Sequence, residues 1–327
     1  MQNFMAKRSA RAMHRLLRYS AYAGGGAVGV LASQAWYVKV NFKLPPDATG
    51  PTAGVVGAGP GKPTQRRNIV FMGDSVVTGV GCRAEVGEGP VMPRATAEVI
   101  ARNIGEQVAW SALGYTGADV PVLLKDYIPT LRREVQQCAQ TGGRVDAVVV
   151  LCGLNDVKSC FLYANPRRHP GAFRQSLHEL VHAIHEVVGH ECVILLPAMP
   201  IDASPRFNRF WPLRTLVHKS AAAWEQQKQA VAEACHAAAA NAPDGPRQPH
   251  VCFLEQPPHT PLEYFSEDVR CLRLRSACPR SMLLSCARLA RQGMHPNDVG
   301  YAAWGGYIAN RLLLDAFPES KGSSRAR

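Results

Sequence analysis

Ile69-Val70-Phe71-Met72-Gly73-Asp74-Ser75 is an apolar run that ends in a glycine, an aspartate and a serine. Successive apolar residues of this kind are typical of a strand that is buried on both faces of a parallel sheet. Gly73 permits a sharp bend of the backbone, and the Asp74 side chain can accept hydrogen bonds from the amides of the turn. The stretch therefore predicts that Ser75 is presented at the carboxyl end of a strand, where its hydroxyl can attack a substrate.

Short apolar runs alternate with longer stretches of helical periodicity from Asn68 to Ala316. This alternation predicts a three-layer α/β/α fold, in which helices cover both faces of a central parallel sheet of about five strands. Ligands bind at the carboxyl ends of the strands in such sheets. The predicted strands are Asn68–Met72, Gln107–Ala112, Val145–Cys152, Glu191–Pro197 and His250–Leu254. The predicted helices are about Pro93–Ile104, Val120–Ala139, Gly171–Val188, Leu216–Ala240 and Val299–Ala316.

Composition divides the chain of 327 residues into four parts. Residues 1–43 form a basic arm without an acidic residue, and residues 44–67 are rich in proline and glycine, which predicts a linker. Residues 68–316 carry the α/β pattern, and we expect the basic tail 317–327 to be disordered. The hydrophobic content of 46% is sufficient for a sizeable core.

The formal net charge of +12 is concentrated outside the central body of the chain, in the arm, in residues 270–291 and in the tail. No nucleic-acid-binding motif accompanies these charges, so we predict no nucleic-acid partner. Residues 19–38 are uncharged and long enough to cross a bilayer. They predict a signal-anchor helix and membrane association; a mitochondrial presequence and a disordered arm are the alternatives.

The ten cysteines include no CxxC pair and no Cys/His grouping with the usual zinc spacing. We therefore predict no metal site. Cys152 and Cys192 lie in or beside apolar runs, where a cysteine usually acts as a small buried hydrophobe. A disulfide framework is not expected in a chain of this size, although one or two bridges stay open for an oxidising compartment.

Three further blocks follow predicted strands or precede the last helix. Gly114 and Gly117 follow the second strand, Gly153-Leu154-Asn155-Asp156 follows the third, and His295-Pro296-Asn297-Asp298 leads into the final helix. Each block has an ordinary structural interpretation, as turn glycines, a helix cap or an incidental histidine. Each could also serve catalysis: the glycine amides and the Asn155 amide as donors to an oxyanion, and His295 as a base.

Together with the Gly-Asp-Ser turn, these blocks resemble the SGNH hydrolase superfamily, also called the GDSL-type esterases and lipases. The resemblance covers about residues 68–316 and implies the flavodoxin-like fold of that family. It implies that Ser75 is the nucleophile and that His295 is the general base. It also implies an oxyanion hole formed by the amide of Ser75, the amide of Gly117, with Gly114 as the adjacent candidate, and the side chain of Asn155.

The family's third catalytic residue is an aspartate placed three residues before the histidine, and this chain has Gln292 there. The block Tyr264–Asp268 would continue directly into Gly293 if residues 269–292 were an insertion looped out of the fold. In that case Asp268 orients His295. A Ser-His dyad assisted by Gln292 or by a backbone carbonyl, and an inactive site, are the alternatives.

The resemblance implies a serine esterase that hydrolyses a carboxylic ester, of a lipid or of an acetyl or acyl group, through an acyl-enzyme on Ser75 and without a cofactor. A thioesterase or acyltransferase using the same serine is an alternative. So is a catalytically silent, membrane-tethered binding protein with this fold. The loops that would define the substrate carry no readable code, and the sequence does not determine the oligomeric state.

Overall fold

The computed structural model describes residues 25–40, 44–57, 66–83, 87–162, 169–199, 201, 204, 210–241, 249–258 and 295–317. Within these ranges the strands are β1 (Ala53–Val56), β2 (Arg66–Gly73), β3 (Gln107–Gly114), β4 (Ala147–Leu151), β5 (Val193–Pro197) and β6 (His250–Leu254). They form one sheet in the order β1-β3-β2-β4-β5-β6. All pairs from β3 to β6 are parallel, which confirms the predicted α/β class, and β2, the strand that leads to Ser75, lies inside the sheet between β3 and β4.

The first strand differs from the prediction, because β1 lies in the stretch that we expected to be a linker. It pairs antiparallel with β3, from Ala53 opposite Ser111 to Val56 opposite Val108. β1 is apolar but only four residues long, Ala-Gly-Val-Val, and it stands among prolines and glycines, so the composition of this stretch predicted a linker. β1 lies at the edge of the sheet, where every second residue of this strand is half-buried and the others are exposed.

The helices are α1 (residues 25–40), α2 (Val91–Ile104), α3 (Val120–Val122), α4 (Ile128–Gln140), α5 (Leu154–Leu162), α6 (Pro170–Val188), α7 (Leu213–Asn241) and α8 (Asp298–Asp315). The predicted helix Val120–Ala139 is interrupted by the π-helical turn Leu123–Tyr127. Pro129 has no N–H to donate to the carbonyl of Lys125, so regular helical bonding fails at this point.

Helices cover the sheet on both faces and enclose two apolar cores. Val149 and Leu151 of β4 point into the core that α2 and α8 close, whereas Val148 and Val150 point into the core that α4, α6 and α7 close. Every residue of β4 is buried. The strand thus packs both faces against apolar side chains, which explains its uninterrupted run of aliphatic residues.

The N-terminal helix α1 contacts the segment that leads into α7. The Gln34 side chain donates to the carbonyl of Trp211 (2.7 Å) and accepts from the amide of Leu213 (3.1 Å). Tyr37 lies edge-on to Phe210, with 5.5 Å between the ring centroids. None of the helices in the described part of the chain is both long and apolar enough to cross a membrane.

Several predictions concern residues outside the described ranges: the first part of the arm, residues 1–24; the proposed insertion, residues 269–292; and the tail from residue 318. The targeting role of residues 19–38 falls partly on such residues and stays a prediction.

Candidate active site

Ser75 lies directly beyond the carboxyl end of β2, in a turn that extends from residue 75 to residue 81. The turn is closed by backbone hydrogen bonds from the Val77 amide to the Asp74 carbonyl (2.9 Å) and from the Val80 amide to the Ser75 carbonyl (2.9 Å). A side chain at Gly73 would clash with the backbone of the neighbouring strand β4 and with Val77. The glycine is therefore required for the turn to fold down onto the sheet, and this leaves Ser75 only 6% exposed.

The ring of His295 contacts the serine, with 2.9 Å between His295 Nε2 and Ser75 Oγ. Asn297 holds the histidine's segment by capping α8, since its side chain accepts a hydrogen bond from the amide of Gly300 (2.9 Å). A Cβ at Gly81 would lie 2.6 Å from the Pro296 carbonyl oxygen and 3.2 Å from His295 Cβ. This glycine, at φ +97°, lets the serine turn and the histidine segment approach closely.

Tyr301 and Arg83 make further hydrogen bonds between the same two segments. Tyr301 of α8 is fully buried, and its hydroxyl donates to the carbonyl of Val80 (2.7 Å). The Arg83 backbone amide and guanidinium both donate to the Asp298 carboxylate, at 3.1 and 2.6 Å. The serine turn and the start of α8 therefore move as one unit, which fixes the distance between Ser75 and His295.

Burial lowers the pKa of His295 to about 4, although the nearby Asp47 carboxylate raises this pKa in part. The ring is consequently neutral at physiological pH, and Nε2 can accept the serine proton. The proton of this tautomer resides on Nδ1. That atom is buried and has no hydrogen-bond partner among the residues that the structure describes.

Neither candidate for the third catalytic residue can be placed, since Asp268 and Gln292 lie outside the described residues. The structure thus brings Ser75 and His295 together and leaves the partner of His295 Nδ1 as a prediction.

Asn155 lies between the serine turn and the loop after β3, but its side-chain amide is already engaged. Nδ2 donates to Asp74 Oδ2 (3.1 Å) and to the carbonyl of Ala118 (3.0 Å), and Oδ1 accepts from Lys158 Nζ (3.3 Å). An amide nitrogen has two hydrogens, so both are occupied here. In this arrangement Asn155 connects Asp74, which precedes Ser75, with Ala118, which follows Gly117.

The two glycines after β3 differ in their surroundings. A Cβ at Gly114 would lie about 3.0 Å from Val77 Cγ1 and 3.1 Å from Thr78 Cγ2, so this glycine makes room for the serine turn. Gly117 is exposed at φ +97°, and a Cβ there would meet no atom within 4 Å. Close packing therefore explains Gly114, whereas backbone conformation alone calls for a glycine at 117.

Sequence analysis did not identify Lys228 of α7, which is fully buried behind the site. Its ammonium group donates to the Pro197 carbonyl (3.0 Å) and pairs with Glu225, whose Oε1 lies at 3.1 Å. Burial raises the pKa of Asp74 to about 6, and the positive charge of Lys228 opposes that rise. The sequence does carry a signal, since position 228 continues the buried helical stripe of Trp224, Val231 and Cys235.

Asp47, in the stretch predicted to be a linker, is a second residue that sequence analysis did not identify. Its Oδ1 accepts from Thr78 Oγ1 (2.8 Å) in the serine turn and from Thr116 Oγ1 in the loop after β3. The Ala48 amide also donates to the Thr78 carbonyl (3.1 Å). The segment before β1 therefore lies across the rim of the site and brings an exposed carboxylate close enough to His295 to affect its pKa.

The model of the GDSL-like lipase/acylhydrolase family matches residues 71–303, an interval that contains Ser75, Gly117, Asn155 and His295. Among solved structures, a catalytic mutant of Axe2, an acetylxylan esterase from Geobacillus stearothermophilus, is 15% identical with a TM-score of 0.41. That alignment covers 80% of this chain and 95% of the other. LAE5, an alpha/beta hydrolase enzyme from the metagenome of Lake Arreo in Spain, is 19% identical with a TM-score of 0.39; 76% and 94% of the two chains are covered. No curated protein matches the sequence.

Proposed function

Because this chain belongs to the GDSL-like lipase and acylhydrolase family, and is therefore an SGNH-type serine hydrolase, we propose that it cleaves a carboxylic ester through an acyl-enzyme on Ser75. Membership of the family confirms the resemblance found in the four sequence blocks. The observation that carries the proposal is the 2.9 Å contact between Ser75 Oγ and His295 Nε2 at the carboxyl end of the central strand. This is the distance at which a base can take the proton of an attacking hydroxyl.

The first step is attack of Ser75 Oγ on the ester carbonyl carbon, while His295 Nε2 accepts the hydroxyl proton. Burial lowers the pKa of His295 to about 4, so the ring is neutral at physiological pH and Nε2 has a lone pair that can accept the proton. The proton then passes from His295 to the alcohol oxygen as the ester C–O bond breaks. Water attacks the resulting acyl-enzyme with the same base, and this step releases the acid and restores Ser75.

The negative charge on the carbonyl oxygen is stabilised in this proposal by the amides of Ser75 and Gly117. Asn155 joins them when one of its two N–H groups exchanges its present acceptor, Asp74 or the Ala118 carbonyl, for the oxyanion. Preorganised donors of this kind supply a large share of the rate enhancement of acyl-transfer enzymes.

Asp268 is proposed as the acceptor of the His295 Nδ1 proton, with the side-chain carbonyl of Gln292 as the alternative. The buried Nδ1 supports the need for such an acceptor, because a buried donor without a partner destabilises the fold and leaves the ring orientation unfixed. A carboxylate would also stabilise the imidazolium that forms in each transition state, which an amide cannot do.

The test is reaction of the purified full-length chain with a fluorophosphonate probe, followed by peptide mass spectrometry and by assay with p-nitrophenyl acetate. We expect one adduct on the peptide that contains Ser75, and loss of both labelling and hydrolysis in Ser75→Ala. Ser176→Ala, at a half-buried position of α6, is the matched control and is expected to retain both. A folded parent that reacts with neither reagent would refute the proposal.

Asp268→Ala and Gln292→Ala separate the two candidates for the third residue. If Asp268 orients His295, only its replacement lowers turnover, by up to about 10⁴-fold. If the amide does so, only Gln292→Ala lowers turnover.

A further inference from the structure

A second group of reactive side chains lies on the edge strand β6, far along the sheet from Ser75. His250 and Cys252 are two residues apart on β6 and so project to the same face of the strand. His236, near the end of α7, completes the group, and the possible ligand atoms of all three residues lie within 4.8 Å of one another. We propose that these three side chains form a binding site for a zinc ion.

The distance between Cys252 Sγ and His250 Nε2 is 3.6 Å. Zinc binds thiolate sulfur at about 2.3 Å and imidazole nitrogen at about 2.0–2.1 Å in tetrahedral geometry, which separates the two ligand atoms by about 3.6 Å. One edge of the coordination tetrahedron is therefore already formed. The ring centroids of His236 and His250 are 6.3 Å apart, so the second imidazole lies beside the first.

The chemistry of the donor set points to zinc. One thiolate with two imidazoles is a combination that suits zinc better than magnesium or calcium, which take oxygen ligands. Cys252 is only 3% exposed, whereas His236 and His250 are exposed, so an ion can enter from solvent and reach a shielded sulfur.

The charges around the cluster permit a cation. Arg311 and Asp315 of α8 lie beside the Cys252 thiol. They form an ion pair with each other, so the guanidinium charge is compensated where the zinc would bind. The Asp315 carboxylate or a water molecule is available as the fourth ligand.

The position of the cluster indicates a structural role. β6 is the edge strand of the sheet, and His250 is its first residue, at the end opposite to the carboxyl ends where Ser75 lies. A bound ion would join the end of α7 to this edge strand. The proposed site therefore does not depend on the ester chemistry, and its test does not depend on activity.

A competing pair of imidazoles lies on α6. His178 and His182 lie one turn apart on α6, with 3.3 Å between their Nε2 atoms. Such a pair can also bind zinc, but it includes no sulfur. A readout that requires a thiolate ligand distinguishes the two sites.

The test is titration of the chelator-treated, reduced full-length chain with Co²⁺, which substitutes for zinc and gives a near-ultraviolet charge-transfer band when a thiolate binds it. We expect the band to saturate at one equivalent. His236→Gln and His250→Gln change exposed residues, so the fold should persist, and each should weaken binding at least about tenfold. Cys252→Ala should abolish the band.

Two matched controls accompany these variants. Cys235→Ala removes a buried thiol next to His236 in the sequence. The double variant His178→Gln/His182→Gln removes the competing pair on α6. Both variants should retain the band. Zn²⁺ should raise the Tm of the parent and of the controls but not of His236→Gln. The proposal is refuted if the parent shows no thiolate band, which would reduce the 3.6 Å contact to a thiol–imidazole hydrogen bond, or if the band survives in both His236→Gln and His250→Gln.

Discussion

Two pairs of side chains in this protein place an imidazole against a nucleophilic atom. Ser75 and His295 are 220 residues apart in the chain and 2.9 Å apart in space. His250 and Cys252 are two residues apart on one strand, with 3.6 Å between Nε2 and Sγ. The first pair lies at the carboxyl end of a central strand and is buried, whereas the second begins an edge strand, and its histidine is exposed.

The two pairs differ in the nucleophilic atom and in their surroundings, and both differences bear on the chemistry that we propose for each pair. Around Ser75 the backbone turns sharply after β2, at the edge of the sheet where the proposed oxyanion donors lie. Around Cys252 the backbone is a regular strand whose amides pair within the sheet. A third possible metal ligand, His236, lies close to His250 and Cys252. We therefore propose that an imidazole acts as a base beside a hydroxyl in one place and as a metal ligand beside a thiol in the other.

Helix α7 links the two regions. It carries Lys228 behind the serine turn and His236 to the cluster on β6, eight residues apart or about 12 Å along the helix. The helix therefore contributes a buried charge to one site and a proposed ligand to the other.

The largest expected effect is the response of ester hydrolysis to loss of each nucleophilic atom. Ser75→Ala should lower kcat by about 10⁴-fold to 10⁶-fold, because the serine and histidine act as a unit. Cys252→Ala should leave kcat within about twofold, since changes at a distant, independent site rarely propagate. The measurement is steady-state hydrolysis of p-nitrophenyl acetate by the two variants. Comparable losses in both would break the distinction between the regions.

The second effect concerns the buried charge on α7. Lys228→Met removes one partner of a buried ion pair and should lower the free energy of unfolding by about 3–5 kcal/mol, as measured by urea denaturation. Lys219→Met makes the same substitution at an exposed position of the same helix and should change that free energy by less than about 0.5 kcal/mol. If both variants are as stable as the parent, the buried ion pair of Lys228 does not stabilise the fold.

A third prediction uses the pKa of His295. The base must be neutral, and burial lowers its pKa from 6.5 to about 4, so kcat/KM should be constant at neutral pH and fall only as the pH drops below about 4. A carboxylate hydrogen-bonded to Nδ1 would stabilise the protonated ring, raise the pKa of His295 and so shift this fall to higher pH. A pH–rate profile with its inflection above 6.5, moved downward by Asp268→Ala, would therefore identify the acid.

The smallest expected effect is that of Asp47. Its carboxylate raises the pKa of His295, so Asp47→Asn should shift the acid limb of the same profile to lower pH. At neutral pH the rate should change by less than about fivefold, because an exposed charge contributes little in water. Asp126→Asn, at another exposed position, is the control and should not move the limb. An unchanged limb in Asp47→Asn would remove this residue from the site.

The sequence predicted those parts of the fold that have a local signature. Short apolar runs identified all five parallel strands, because most side chains on both faces of these strands are buried. β1 was not recognised, since it is only four residues long and lies in a stretch rich in proline and glycine. Lys228 was not identified because a lysine is ordinarily interpreted as an exposed residue, although its place in the apolar stripe of α7 indicates a buried position.

The sequence by itself determined the α/β class, the Gly-Asp-Ser turn and the candidates Ser75, Gly117, Asn155 and His295, because strand ends and turn glycines leave local patterns. Only the tertiary structure decided that His295 reaches Ser75, that Asn155 bonds to Asp74, that Asp47 lies at the rim and that His236 lies beside His250 and Cys252. Each of these contacts joins residues on different elements. Their distance is set by how the helices pack on the sheet, and no local pattern records it.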